Sequence, residues 1–195
     1  MDIREIIAHE MEERCKSSDN IFGYGIWSHH IVSVVKYAKM LAEKIGADIE
    51  IVEIAALLHD YASIIDEQYI KDHHLHGARE AERILRHLNY PEEKIEKVKA
   101  CIIAHRGSVR IMTDLKEARC LADADAMAHI VHVPSLLYMV YVKKQLSIDE
   151  GAAWVRGKIE RSWNKLTDEA KEMISDQYQS AMQVLGKCKV DEVNN

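Results

Sequence analysis

A chain of 195 residues can bury a sizeable core and suits one domain of about residues 1–190, with no second domain expected. Only 8 Gly and 2 Pro among long runs of Ala, Leu, Glu, Lys and Ile leave little material for hairpins and favour an all-α fold. A formal net charge of -6 argues against a nucleic-acid backbone as an obligatory partner, and Cys15, Cys101, Cys120 and Cys188, with no CxxC pair, indicate neither a disulfide framework nor a zinc knuckle. A reducing cytoplasm is the expected location.

The N-terminal MDIREIIAHEMEER is charged throughout and reads as an amphipathic helix rather than a signal peptide, covering about residues 3 to 15. The polar stretch Lys16 to Asn20, followed by Gly23 and Gly25, predicts a loop before a second helix that starts near Ser28 and stops at Gly46. A third helix begins at about Asp48 and runs through IEIVEIAALLHD. HGAREAERILRHL forms a fourth helix up to the Asn89-Tyr90-Pro91 break, with His73 and His74 on a loop ahead of it. Pro91 opens a fifth helix that carries Ile95, Val98 and Ile102 to His105.

Asp114 with Glu117, and Ser147 with Glu150, have capping-box spacing, and Thr167 with Asp168 and Glu169 starts the last long helix. Between them PSLLYMVYV is an unusually apolar short helix, expected in the core or else in a homodimer interface. Its apolar run, Leu136 to Val142, is far shorter than the roughly 20 residues that cross a bilayer, so no membrane partner is expected. VDEVNN at the C-terminus reads as frayed, its last five residues, 191–195, forming a tail.

Several of the 11 histidines fall on apolar stripes, where an unpaired imidazole is costly. His30 shares a stripe with Val34, Ala38, Leu41, Ala42 and Ile45; His59 shares one with Val52, Ala55 and Ala56, and Asp60 follows it. His105 ends the stripe of the fifth helix, and Asp125 points among Ala118, Leu121 and Ala122. Three imidazoles and two carboxylates aimed into one core are mutually consistent if divalent cations neutralise the carboxylates and accept the ring nitrogens. His9, His87, His129 and His132 read as surface or satisfied core residues, and His29 as a surface neighbour of His30. Trp27, Trp154 and Trp163 read as packing anchors, with Tyr24 and Trp27 near the mouth of the site.

Taken in order, HHIVSVVKYAKMLA, AALLHDYAS, HLHGAREAERIL, CIIAHRG and CLADADAMA make residues 27 to 130 resemble the HD superfamily of metal-dependent phosphohydrolases. The resemblance implies an HD-type helical bundle with additional C-terminal helices. It implies His30, His59, Asp60 and Asp125 as ligands of one cation, with Asp123 as the fallback for Asp125. It further implies Asp60 as the bridge to a second cation held by His76 and His105. His59 and Asp60 are the catalytic pair in that scheme, and Arg79 and Arg106 are placed to clamp a substrate phosphate. One or two divalent ions (Mn, Fe, Co, Ni, Mg or Zn) are implied, and the substrate is a small soluble phosphate ester such as a nucleotide. Two other readings share the scaffold: a di-iron oxygenase and a binding or regulatory module without turnover. HDYAS lacks the lysine of the HDxGK form and no GYP motif occurs, so a cyclic-dinucleotide specificity does not carry over.

Overall fold

The computed structural model describes residues 2–106 and 114–186, and no strand occurs among them. The Gly107 to Thr113 loop, Cys188 and the 191–195 tail lie outside the described residues. No described helix is long and apolar enough to cross a membrane.

Helix α1 (Ile3–Lys16) opens with a capping box between Asp2 and Glu5. Asn20 then organises the loop: its amide donates to the carbonyls of Cys15 and Gly23 and accepts from the Phe22 N–H. A π-helical turn, Trp27–Ile31, leads into α2 (Val32–Ile45), which ends where Gly46 takes the left-handed φ of 66°. Helix α3 (Ile49–Leu58), capped by Asp48, buries Ile51, Val52, Ile54, Ala55, Ala56, Leu57 and Leu58. With seven of its ten residues buried, and Glu50 and Glu53 on the remaining face ion-paired to Lys94, Arg4 and Lys39, it runs through the middle, flanked by α1, α2, α6 and α7. The chain breaks at Asp60 (φ -104°, ψ 6°) and restarts as α4 (Tyr61–Ile65).

A 3₁₀ turn, Glu67–Asp72, precedes α5 (His73–His87), so His73 and His74 form the first turn of that helix rather than the expected loop. Asp66 sets this boundary by accepting the Gln68 N–H and capping the 3₁₀ turn. Gly77 brings α5 close: a Cβ there would lie 3.1 Å from the His59 carbonyl oxygen and 3.4 Å from Ile102. Helix α6 (Glu92–Ala104) follows and packs on α5, α3 and α7.

The predicted Asp114–Glu117 box does not form. Helix α7 (Lys116–Val131) has Leu115 at its N-cap, and its first turn is used across helices instead. Glu117 accepts the Asp48 N–H, and Lys116 donates to the Ile45 carbonyl, so one turn of α7 satisfies the end of α2 and the start of α3. PSLLYMVYV divides into α8 (Val133–Tyr138) and a second π-helical turn, Met139–Lys143. Leu136 and Val140 are buried, whereas Tyr138 and Val142 are 49% and 55% exposed, so only one face enters the core.

Helices α9 (Ile148–Trp163) and α10 (Asp168–Val184) pack on α7, beyond the HD-type bundle. Ser147 with Glu150 forms the expected capping box and Thr167 caps α10. Trp163 stacks on Tyr178 at 4.1 Å, joining the two helices, while Trp154 is 36% exposed.

Candidate metal centre

Histidines and carboxylates from five elements meet where α3 and α6 end. His59 occupies the C-cap position of α3 and His105 that of α6; His30 comes from the first π-helical turn, His73 from the start of α5, and Asp125 from α7. His59 Nδ1 lies 2.8 Å from the Ala56 carbonyl oxygen, His73 Nδ1 lies 2.9 Å from that of Ile70, and His105 Nδ1 contacts that of Ile102. In each case the carbonyl three residues back accepts from Nδ1 and turns Nε2 toward the centre.

The Nε2 atoms then approach closely. His30 Nε2 is 3.2 Å from His59 Nε2, and His73 Nε2 is 3.1 Å from His105 Nε2. In the second pair both Nδ1 atoms donate to carbonyls, so two neutral rings would oppose lone pair to lone pair, which calls for a bridging proton or cation. Asp60 lies between the pairs. Its Oδ2 is 3.3 Å from His30 Nε2 and 3.4 Å from His59 Nε2, while Oδ1 is 3.7 Å from His73 Nε2. Asp125 Oδ1 closes the other side, 3.4 Å from His30 Nε2 and 3.4 Å from His129 Nε2.

Two triads, His30–His59–Asp125 and His59–Asp60–His105, each offer ligand atoms within 4.8 Å of one another, close enough to hold a cation. His59 is fully enclosed, but Asp60 and Asp125 keep 19% and 21% of their side-chain surface, so the carboxylates face the solvent opening. The mixed imidazole and carboxylate set fits a divalent ion.

Burial opposes charge throughout the centre, and the neighbours decide the outcome. Asp60 is held well below the usual carboxylate range by His59 and His30, and Asp125 by His129, His30, His59 and Lys158. His59 is raised to about 9 by Asp60 and then Asp125, despite its burial. His105 falls to about 4 through burial and the nearby His59, which keeps its ring neutral for ligation.

These shifts predict proton release on metal loading. Because His59 stays protonated up to about 9 in the metal-free centre, a cation must displace that proton near neutral pH. Apparent metal affinity should therefore rise with pH and level off above about 9. Calorimetry in buffers of different ionisation enthalpy reads the released proton, and an affinity independent of pH across that interval would contradict it.

The structure brings together His30, His59, Asp60, His105 and Asp125. It does not bring His76, which stacks on Tyr69 at 4.1 Å; the residue beside His105 and Asp60 is His73. The correction follows from where α5 starts, since His73 and His76 are nearly one turn apart and only the first faces Asp60. His129 was also missed. It stacks on His30 at 4.8 Å and reaches Asp125 from one helical turn away, a spacing of four that the sequence does display. His29 is exposed and meets His132 edge-on, while His9 and His87 are exposed.

Asp123 serves a different purpose from Asp125. Its carboxylate accepts the Thr167 N–H at 3.1 Å and the Thr167 hydroxyl at 2.6 Å, clamping the start of α10 to α7. Asp123→Ala should cost about 1–3 kcal/mol in urea denaturation by stranding those donors, yet leave metal content unchanged. Arg106 contacts Asp72 at 3.4 Å and His74 at 3.5 Å, next to the His73 side of the centre. Arg79 is not brought to the site: it is exposed, about 9 Å further along α5 than His73. Tyr24 is exposed and donates to Glu12, while Trp27 is half-buried in the turn before His30.

Comparison with known proteins identifies the family. The family model for the HD domain matches residues 27–130, more than half of the chain. The chain belongs to the HD domain family, a family of metal-dependent hydrolases. Ribonuclease Y of Petrotoga mobilis is 33% identical over 99 residues, and that of Rubrobacter xylanophilus 36% over 99 residues. Each match takes in 51% of this chain but only 17% of the ribonuclease. Among solved structures, Bacillus subtilis YpgQ superposes with a TM-score of 0.69 at 22% identity, covering 94% of both chains. The same protein in complex with ADP gives 0.68 at 23% identity, over 91% of this chain and 93% of that one. A predicted HD superfamily hydrolase from an uncultured Thermotogales bacterium gives 0.58 at 20% identity, covering 93% and 92%.

Proposed function

We propose that this protein is a phosphohydrolase that cleaves a small phosphate ester, with nucleotides as the first class to test. The observation that carries the reading is Asp60, whose two carboxylate oxygens face different histidine pairs, Oδ2 toward His30 and His59 and Oδ1 toward His73. His30, His59, Asp60 and Asp125 would hold one divalent ion, and Asp60, His73 and His105 a second. Such ions, when bound, lower the pKa of a water toward neutrality and offset charge on the departing oxygen.

The chain's own contribution is orientation. The carbonyls of Ala56, Ile70 and Ile102 fix three imidazoles with Nε2 inward, and Asp60 and Asp125 remain ionised at neutral pH despite burial. Arg106, beside His74 and Asp72, is placed to pair with a phosphate oxygen at the His73 side. The ADP complex of YpgQ and the likeness to ribonuclease Y, both at the level of relatives, favour a nucleotide or a related phosphate ester.

Metal analysis of anaerobically purified protein, followed by phosphate-ester screening with each divalent cation, tests the reading. Cation-dependent release of phosphate or a nucleoside monophosphate is expected. Inert esters with O₂ consumption by the iron-loaded form would replace it with the oxygenase, and metal binding without any turnover would replace it with a regulatory module.

A further inference from the structure

His59, His73 and His105 are each turned toward the centre by the carbonyl three residues back. His30 lacks that device. The corresponding carbonyl, that of Trp27, accepts the Val32 N–H and closes the π-helical turn. Among the described residues the one hydrogen-bond contact of His30 is at Nε2, with His59. Its ring lies instead against His129, stacked at an interplanar angle of 22° with the centroids 4.8 Å apart.

Asp125 depends on the same neighbour. Its carboxylate makes ion-pair contact with two side chains among the described residues, His30 and His129, each at 3.4 Å from Oδ1. Asp60, by contrast, meets His30, His59 and His73. When His30 Nε2 and the Asp125 carboxylate both turn to a cation, His129 Nε2 is the contact left to orient that carboxylate. Helix α7 supplies the two residues from one face, four apart, so His129 is anchored beside Asp125 while its ring reaches the π-helical turn.

We propose that His129 is the positioning residue of the Asp125 side of the centre, its ring setting the plane of His30 and its Nε2 setting the Asp125 carboxylate. The inference rests on the reading of His30 and Asp125 as ligands of one cation, and it gives His129 a task distinct from ligation. A ligand that is free to rotate must be ordered when the cation binds, at a cost in conformational entropy. One side chain that holds two ligands from different elements removes that cost from both.

The test uses the full chain, stripped of metal and titrated with cobalt(II), with calorimetry giving the affinity and visible absorption the coordination geometry. The unmodified protein is expected to bind. His129→Ala should weaken binding by about 10- to 100-fold, the scale for partners that orient ligands, and should alter the cobalt absorption bands. His129→Phe keeps a flat ring against His30, and His129→Gln keeps an N–H for Asp125, so each should recover part of the loss. Circular dichroism and thermal denaturation establish that the variants are folded, and the Phe and Gln proteins carry the comparison if the alanine protein does not fold. Cobalt affinity and absorption bands unchanged in the folded variants overturn the inference and leave the metal centre standing. A loss that neither Phe nor Gln recovers in part also overturns it, in favour of direct ligation by His129. Failure of the unmodified protein to bind cobalt overturns the inference together with the reading of His30 and Asp125 as ligands.

Discussion

Asp60→Asn should lower ester turnover by roughly three orders of magnitude, the upper scale seen when a charge-stabilising group is removed from an active site. The substitution keeps the shape of the side chain and one oxygen, but it removes the charge that faces His30, His59 and His73 at once. Metal content should fall with activity, because a neutral amide cannot serve as a charged bridge between the histidine pairs. His59 supplies an independent readout. Its pKa near 9 depends chiefly on Asp60, so the imidazole of the metal-free variant should titrate lower, as histidine proton NMR would show. Full turnover in a folded Asp60→Asn protein would remove Asp60 from the mechanism.

His73→Ala should reduce metal affinity and activity by about 10- to 100-fold, whereas His76→Ala should stay within about threefold of the unmodified protein. The contrast separates two histidines that lie less than one helical turn apart. His73 Nε2 is 3.1 Å from His105 Nε2, while His76 stacks on Tyr69 and contributes to packing. Losing that stack should cost about 0.5–1.5 kcal/mol of stability, visible in thermal denaturation without loss of bound metal. The reverse pattern would return the ligand role to His76.

Much of the architecture was legible because local chemistry and helical periodicity agreed. Gly46 ends α2, Ser147 with Glu150 opens α9, and Thr167 opens α10, each through a cap that depends on residues adjacent in sequence. His30, His59, Asp60, His105 and Asp125 could likewise be nominated from apolar stripes that ended in polar groups. The remaining details depend on tertiary placement. Choosing His73 over His76 requires the length of the 3₁₀ turn after Asp66, and a motif is blind to a shift of three residues. Glu117 has the spacing of a cap for its own helix, yet it accepts the Asp48 N–H of another element, a partner 69 residues away. His129 was within reach, since its distance of four from Asp125 marks a shared helical face, but nothing in a single helix says what that face meets.

The position of His59 and His105 at the C-caps of α3 and α6 has a consequence beyond ligand geometry. Aligned peptide dipoles give the C-terminal end of a helix a partial charge of about -0.5, and two such ends converge on this centre. The backbone thus contributes a negative potential that no side-chain substitution removes. Part of the attraction for a cation is written into the direction in which the two helices run, and variants that lose a single ligand should retain a residual pull on divalent ions.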